Sequence, residues 1–168
     1  MTSGRATTAK RPAGDNPARM RDRNRAAPVD LAELPDRTGY VIPRARVWIF
    51  QDVIRAMAEH DIRPAQFSVM TVIGANPGVS QSAVSRALGI EHARLAVMLH
   101  LLEARGTMKR VNSRHDRRSN ALHLPPAGKR LLGMLKAAVA RHEERVIAKI
   151  GVDGKRELLR ILSVFLQD

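Results

Sequence analysis

The most constraining feature of this chain is a pair of short predicted helices that are separated by a glycine. Ser80 is a favourable N-cap for the first helix, and Gly89 can end it in the left-handed conformation that most residues disfavour. The second helical pattern begins only two residues later, and its inner face is marked by Leu95, Leu99 and Leu102. Two helices joined by so short a turn predict a helix-turn-helix motif, whose second helix enters the major groove of DNA by its N-terminal end.

A cationic β-hairpin is predicted directly after this motif, with strands over residues 107–111 and 119–124. Residues 109–118 carry five cations and one acid, namely Lys109, Arg110, Arg114, Arg117 and Arg118 with Asp116. An arginine at a hairpin tip can enter the minor groove, whose negative potential favours a guanidinium. A charge run can also be an ordinary solvated loop, but its position next to the two helices favours the wing of a winged helix.

Composition narrows the class of partner. The formal net charge is +13, which predicts an anionic partner, with nucleic acid ahead of an acidic membrane surface. Apolar residues make up 44% and aromatic residues 3% of the 168 residues, which suits a core of packed helices. The absence of cysteine excludes disulfides, thiol catalysis and cysteine-based zinc fingers.

The rest of the pattern is helical. We predict helices near 44–60 and 64–75, a long helix from Pro125-Pro126 to Gly151, and a last helix capped by Asp153. The expected fold is therefore mainly α, a winged helix-turn-helix with a helical dimerisation region and one short β-hairpin wing.

Residues 1–38 are expected to form a basic, disordered tail. Residues 39–62 and 125–168 would form the dimerisation region, and residues 63–124 the DNA-binding domain.

The candidate DNA contacts cluster in three places. Ser80, Gln81 and Ser82 open the first helix of the motif and are suited to phosphate, although capping alone would explain Ser80. His92, Ala93 and Arg94 open the second helix. Arg94 can grip guanine O6 and N7, and Ala93 can touch a thymine methyl. A phosphate contact or a solvated side chain remains the alternative for Arg94.

The wing supplies the third group of candidates. Arg118 is expected to enter the minor groove, with Arg110, Arg114, His115 and Arg117 on the flanking phosphates. Asp116 is expected to brace Arg118 or the hairpin, and an Asp–Arg pair that only stabilises the fold is the alternative. Both roles are compatible.

These motifs resemble the MarR family of winged-helix transcription regulators over residues 40–168. The resemblance rests on Pro64–Met70, Leu88-Gly89-Ile90, Leu102–Gly106, Asp116-Arg117-Arg118 and Gly128. It implies a homodimer in which the first helix and the two C-terminal helices intertwine with their counterparts. The recognition run Arg94–Val97 departs from the Thr-Val-Thr-Arg common in members, so the operator sequence does not transfer.

The resemblance also implies a small-molecule effector, an aromatic acid or its acyl-CoA thioester, bound between the dimer helices and the winged helix. The effector candidates are Arg44, Arg46, Trp48 and Met70, because cations beside an aromatic ring suit a carboxylate or phosphate. Surface cations and a core tryptophan are the alternative. Residues 63–67 and 76–81 look like members that govern the breakdown of aromatic acids.

Other function classes fit less well. The six histidines lack metal-ligand spacing, and no phosphate loop, nucleophile elbow or dinucleotide fingerprint occurs, so we expect neither an enzyme nor a cofactor. An architectural protein that coats DNA is the alternative, and it would lack the ~10³-fold preference for one palindrome expected of a regulator. No apolar run is long enough to span a bilayer. We expect a cytoplasmic, nucleoid-associated protein without a membrane partner.

Overall fold

The computed structural model describes residues 29–112 and 120–166. Its helices are α1 (Thr38–Met57), α2 (Pro64–Ala75), α3 (Gln81–Leu88), α4 (His92–Ala104) and α5 (Pro126–Ser163), and its strands are β1 (Val79–Ser80), β2 (Lys109–Asn112) and β3 (Asn120–His123). Short 3-10 turns lie at Leu34–Asp36, Ala58–His60 and Val164–Leu166. The chain divides into two compact units between Ile42 and Pro43, and every described candidate site residue lies in the second. The predicted mainly-α fold is confirmed.

The helix positions agree closely with the sequence, with one exception. The first helix begins at Thr38, six residues before the predicted start, and continues through Pro43. Pro43 lies beyond the first turn of this helix, where a proline removes one backbone hydrogen bond and its ring crowds the carbonyl four residues earlier, which explains why the sequence pattern placed the start after it. The predicted break at Gly151 is confirmed, because its φ of 74° and ψ of 169° are non-helical and divide α5 into two segments.

The hairpin forms part of a three-stranded antiparallel sheet with the strand order β1-β3-β2. Strands β2 and β3 pair with Arg110 opposite Leu122 and Val111 opposite Ala121, which confirms the predicted hairpin with shorter strands. The sequence did not indicate β1, in which Val79 lies opposite Leu122. Because β1 leads directly into α3, this pairing fixes the start of the helix-turn-helix against the hairpin.

One hydrophobic core joins the motif, the sheet and the first half of α5. Its fully buried side chains include Met70 and Ile73 from α2, Val84 from α3, and Leu122 from β3. Leu95, Leu99 and Leu102 bury the inner face of α4, as the sequence predicted. None of the described helices is long and apolar enough to cross a membrane.

A buried polar cluster connects α1 to α5. The Asp52 carboxylate lies 2.7 Å from Nδ1 of His142 and accepts a hydrogen bond of 2.9 Å from Nε of Arg145. Arg55 adds a weaker contact of 3.4 Å from its own helix. The pKa of Asp52 is lowered, and the hydrogen bond with His142 is the largest cause, followed by the hydrogen bond with Arg145. The effect of His142 outweighs that of burial, which raises the pKa.

A close backbone approach sets the start of α5 against the turn before β2. Gly128 is buried, and a Cβ at this position would overlap the carbonyl oxygen of Thr107. Thr107 is itself fixed, because its backbone N–H and its hydroxyl both donate to the carbonyl of Leu102. The glycine therefore allows α5 to pass directly over the base of the hairpin.

We expect Gly128→Ala to destabilise the protein by about 1–3 kcal/mol, because the overlap forces the backbone of one element to move. Gly133→Ala is the matched control on the same helix, since no atom lies within 4 Å of the Cβ it adds. That control should raise stability by about 0.5–1 kcal/mol through helix propensity. Urea unfolding of both variants measures the difference, and equal stabilities would contradict the close approach.

The Asp52 cluster predicts a specific dependence of stability on pH. Its pKa is lower in the folded than in the unfolded chain, so the ionised carboxylate stabilises the fold above about pH 4 and loses this effect as the pH falls further. The free energy of unfolding of wild type should exceed that of Asp52→Asn by about 1–3 kcal/mol at pH 6. This difference in stability should shrink between pH 4 and pH 3. Thermal unfolding across this range tests it. Glu144→Gln, which removes an exposed carboxylate from α5, serves as the control.

Candidate nucleic-acid interface

Local hydrogen bonds fix the turn between α3 and α4. The Ser80 hydroxyl caps α3 by accepting the N–H of Ala83 at 3.2 Å. Gly89 adopts φ 60° and ψ 31°, the left-handed conformation that its lack of a Cβ permits. Ser85 then closes the turn, because its hydroxyl donates to the carbonyl of Ile90 at 2.7 Å while its carbonyl accepts the N–H of Ile90 at 3.1 Å. These bonds hold α4 at a defined angle to α3.

The first turn of α4 projects into solvent. His92, Ala93 and Arg94 are all exposed, whereas Leu95 in the next position is fully buried. The first turn contains no acidic side chain, and the N-cap residue Glu91 makes no side-chain hydrogen bond to the backbone N–H groups at this end. This arrangement combines free N–H groups and an arginine at a helix terminus, which suits an anion or the edge of a base.

The start of α3 lies beside the start of α4. Nε2 of Gln81 is 3.5 Å from the carbonyl oxygen of His92, so the two N-terminal turns are in contact. Ser82 is exposed next to them, while Ser80 is partly buried by its capping role. The contact between Gln81 and His92 therefore brings the candidates of α3 next to those of α4.

The hairpin is tied to α4 by a pair that the sequence analysis did not identify. The guanidinium of Arg110 forms an ion pair with Glu103 of α4, and the N–H of Arg110 donates to Oε1 of the same carboxylate at 3.2 Å. Arg110 was predicted as a DNA contact, and in the structure its partly exposed guanidinium is paired with Glu103. The remaining wing candidates lie outside the described residues: Arg114, His115, Asp116, Arg117 and Arg118.

The predicted effector residues differ in how deeply they are buried. Arg46 lies over the ring of Phe50 at 5.9 Å on α1, and Trp48 is partly buried on the same helix. Lys149 of α5 places Nζ 4.9 Å from the Trp48 ring centroid, a cation–π contact that sequence spacing does not reveal. Arg44 is exposed and interacts within the protein. Met70 is fully buried in the core and presents no surface to a ligand.

Arg105, at the end of α4, holds the segment before α2. Its guanidinium donates to the carbonyl oxygens of Asp61 at 2.6 Å and His60 at 2.9 Å. Between this segment and α4 lies an open cleft of about 640 Å³. No group of three or more potential metal-ligating side chains occurs in residues 29–112 and 120–166.

Comparison with known proteins shows which family this chain resembles. The MarR family model matches residues 60–119, which include the helix-turn-helix. A protein described as a transcriptional regulatory protein for the hcr operon of Thauera aromatica is 28% identical over 153 residues, covering 87% of this chain and 92% of that protein.

Two solved structures of the transcriptional repressor CouR share the fold over 84% of this chain. One, bound to a 23-mer DNA duplex, is 36% identical over its whole length with a TM-score of 0.80. The other, bound to p-coumaroyl-CoA, is 34% identical over 99% of its length with a TM-score of 0.75. Because the MarR family model matches the helix-turn-helix and this chain covers nearly the full length of these repressors at 34–36% identity, it belongs to the MarR family of transcriptional regulators.

Proposed function

We propose that this protein is a ligand-responsive repressor that binds a palindromic operator as a homodimer and is released by an aromatic acyl-CoA thioester. The exposed first turn of α4, with Arg94 projecting from a helix whose inner face is buried, is the observation that carries the proposal. A solved structure of CouR, 36% identical to this chain, contains a DNA duplex. Arg94 would read a base edge, and Gln81 and Ser82 would bind the adjacent phosphates.

The proposal of a homodimer rests on apolar side chains that the single chain leaves exposed. On α1, Val47, Phe50 and Ile54 follow helical spacing and are each about half exposed, at 49%, 49% and 48%. The end of the chain adds a second group of exposed apolar residues: Val152, Leu159, Ile161, Leu162, Val164, Phe165 and Leu166. Monomeric proteins rarely expose so many large apolar groups, and a second copy would cover them.

The proposed effector follows from the cations near Trp48. Lys149 places positive charge over the partly buried indole, and Arg44 and Arg46 add two exposed cations on the helix that carries it, which suits a ligand with both an aromatic ring and phosphates. A solved structure of CouR, 34% identical to this chain, contains p-coumaroyl-CoA. We therefore favour the thioester over the free acid, since the thioester alone supplies several phosphates.

The mechanism we propose is repression by occupancy of a promoter. The dimer holds two α4 helices at the half-site spacing of a palindrome, about 34–36 Å. The effector releases DNA only to the extent that it binds the non-DNA-binding arrangement more tightly. No catalytic step is required of the protein.

Selection of bound fragments from random duplex DNA tests the operator, and Arg118→Ala tests the wing. We expect one palindrome to be preferred by ~10³-fold or more over random duplex. Arg118→Ala should weaken operator binding by about tenfold or more and leave the melting temperature nearly unchanged, because it removes one charge-assisted contact to DNA. Fluorescence anisotropy at two salt concentrations measures the preference for the palindrome and the loss of operator affinity in Arg118→Ala.

Lys136→Ala is the charge-matched control for that experiment, since Lys136 is exposed on the middle of α5. It should bind the operator within about twofold of wild type, as expected for a cation that contacts no phosphate. Wild-type affinity in Arg118→Ala would remove the wing from the mechanism. Equal affinity for all duplexes would favour the architectural protein that coats DNA.

Trp48 supplies a direct probe for the effector, because it is the only tryptophan in the chain. Titration with p-coumaroyl-CoA should change its emission, whereas free coenzyme A should act more weakly. Substituting both Arg44→Gln and Arg46→Gln should weaken thioester binding by about tenfold, since charge-assisted contacts to phosphate are lost. Lys136→Gln is the control. Unchanged affinity in the double variant would place the effector elsewhere.

A further inference from the structure

Arg105 connects the ends of two helices that carry different candidate sites. It is the C-cap residue of α4 and directly follows Ala104, the last helical residue. Its guanidinium donates to the carbonyl oxygens of Asp61 at 2.6 Å and His60 at 2.9 Å, in the short turn that follows α1. The C-terminal end of α4 is therefore fastened to the C-terminal end of α1.

This connection depends on backbone carbonyls more than on an ion pair. The Asp61 side chain is 97% exposed and its carboxylate lies 3.3 Å from Nη1 of Arg105, so solvent screens most of the attraction. Carbonyls at the end of a helix have no partner within the helix, and a planar guanidinium can donate to two of them at once. Charge-assisted hydrogen bonds of this kind are stronger than neutral ones. Arg105 therefore holds the end of α1 by its main chain.

The turn that Arg105 holds is fixed on both sides. Met57 before it and Ile62 after it are both buried in the core. Asp61 closes the turn in the left-handed conformation, with φ 50° and ψ 44°, and its N–H donates to the carbonyl of Ala58 at 3.0 Å. This conformation is uncommon for residues other than glycine, although aspartate adopts it more readily than most. Such a turn is poorly suited to absorb a displacement of α1, so the displacement passes to the group that holds it.

Arg105 lies too far from the DNA-reading end of α4 to act there directly. Arg94 is eleven positions earlier in the sequence, which corresponds to roughly 16 Å along the axis of an α-helix. Leu99, between them, is fully buried and provides a pivot. A tilt of about 7° at that pivot would move each end by about 1 Å. Such a shift is large for hydrogen bonds to a base edge, whose lengths vary over only about 0.5 Å.

We propose that Arg105 is a positioning residue for the first turn of α4, and that it transmits a displacement of α1 to that turn. The proposal rests on the proposed function, because α1 carries Trp48 of the proposed effector site and α4 carries Arg94. An effector that displaces α1 would move the C-terminal end of α4 through the two carbonyls and tilt the first turn away from the base edges. The coupling free energy between effector and operator would then depend on this guanidinium.

Arg105→Gln tests the transmission in the full chain. The affinity for the palindrome selected from random duplex is measured with and without saturating p-coumaroyl-CoA, and the ratio of the two affinities gives the coupling. This ratio should be about tenfold or more in wild type and should approach one in Arg105→Gln. The operator affinity of the variant without thioester should fall by about fivefold, because α4 is no longer held at its far end. Its affinity for the thioester, followed by the emission of Trp48, should stay within about twofold of wild type.

A purely structural role for Arg105 would give a different result. The melting temperature and both affinities would then fall together in Arg105→Gln while the ratio kept its wild-type value, and this outcome would overturn the proposal. An operator affinity and a ratio that both match wild type would overturn it as well. Lys136→Gln, which removes one exposed cation from α5, is the charge-matched control and should keep the ratio of wild type.

Two further variants test how Arg105 acts. Asp61→Asn removes the exposed carboxylate and leaves both carbonyls in place, so its ratio should stay within about twofold of wild type. Arg105→Lys keeps the charge, but one ammonium does not reproduce a planar fork across two carbonyls, so its ratio should fall by about threefold or more. A wild-type ratio in Arg105→Lys, or loss of coupling in Asp61→Asn, would overturn the proposal. Arg105→Lys also decides the matter if Arg105→Gln does not fold.

Amide hydrogen exchange separates this proposal from the proposed function. The N–H of Asp61 donates to Ala58 and the N–H of Gly106 donates to Glu103, so each reports on one of the two helix ends. Both should exchange about tenfold faster in Arg105→Gln than in wild type, because the two ends are no longer joined. Unchanged exchange would overturn the fastening of α1 to α4 whether or not the protein binds DNA. If the protein binds no operator, the proposed function fails, while the exchange still decides whether Arg105 joins the two ends.

Discussion

The burial of one face of α4 fixes the orientation of every candidate side chain on that helix. Leu95, Leu99 and Leu102 are fully buried, so the helix has one permitted rotation about its axis. That rotation leaves Arg94 and the first turn in solvent and turns Val97 and Leu101 toward the cleft. The core thus determines which side chains of α4 face solvent and which line the cleft.

The arginines of this chain serve two purposes, and the structure separates them. Arg105 and Arg110 are tied to Asp61 and Glu103, where they join α4 to its neighbouring segments. Arg145 helps to satisfy the buried carboxylate of Asp52 between α1 and α5. These cations stabilise the scaffold, and their charge is partly cancelled. The net charge of +13 therefore overstates the charge available to a ligand, although it remains large enough to favour an anionic one.

Polar contacts across the fold were the least predictable part. Asp52 and His142 are ninety positions apart in the sequence, and their contact depends on how α1 packs against α5. His142 lies on the apolar spacing of its helix, and that spacing does not show what the imidazole binds. Lys149 on Trp48 is another pair of distant residues whose meeting no local pattern encodes. Met70 was predicted as an effector contact from the sequence, and the structure places it fully buried in the core.

Short-range patterns in the sequence predicted the helices, the helix-turn-helix and the hairpin, because caps such as Ser80, left-handed glycines such as Gly89 and apolar periodicity act over a few residues. It also identified Arg94 as an exposed cation at a helix start. Only the folded chain shows that β1 joins the sheet, that Gly128 passes over Thr107, and that Arg63 and α4 line the same cleft. These features depend on distances between elements, which follow from the packing of the whole core rather than from any one segment.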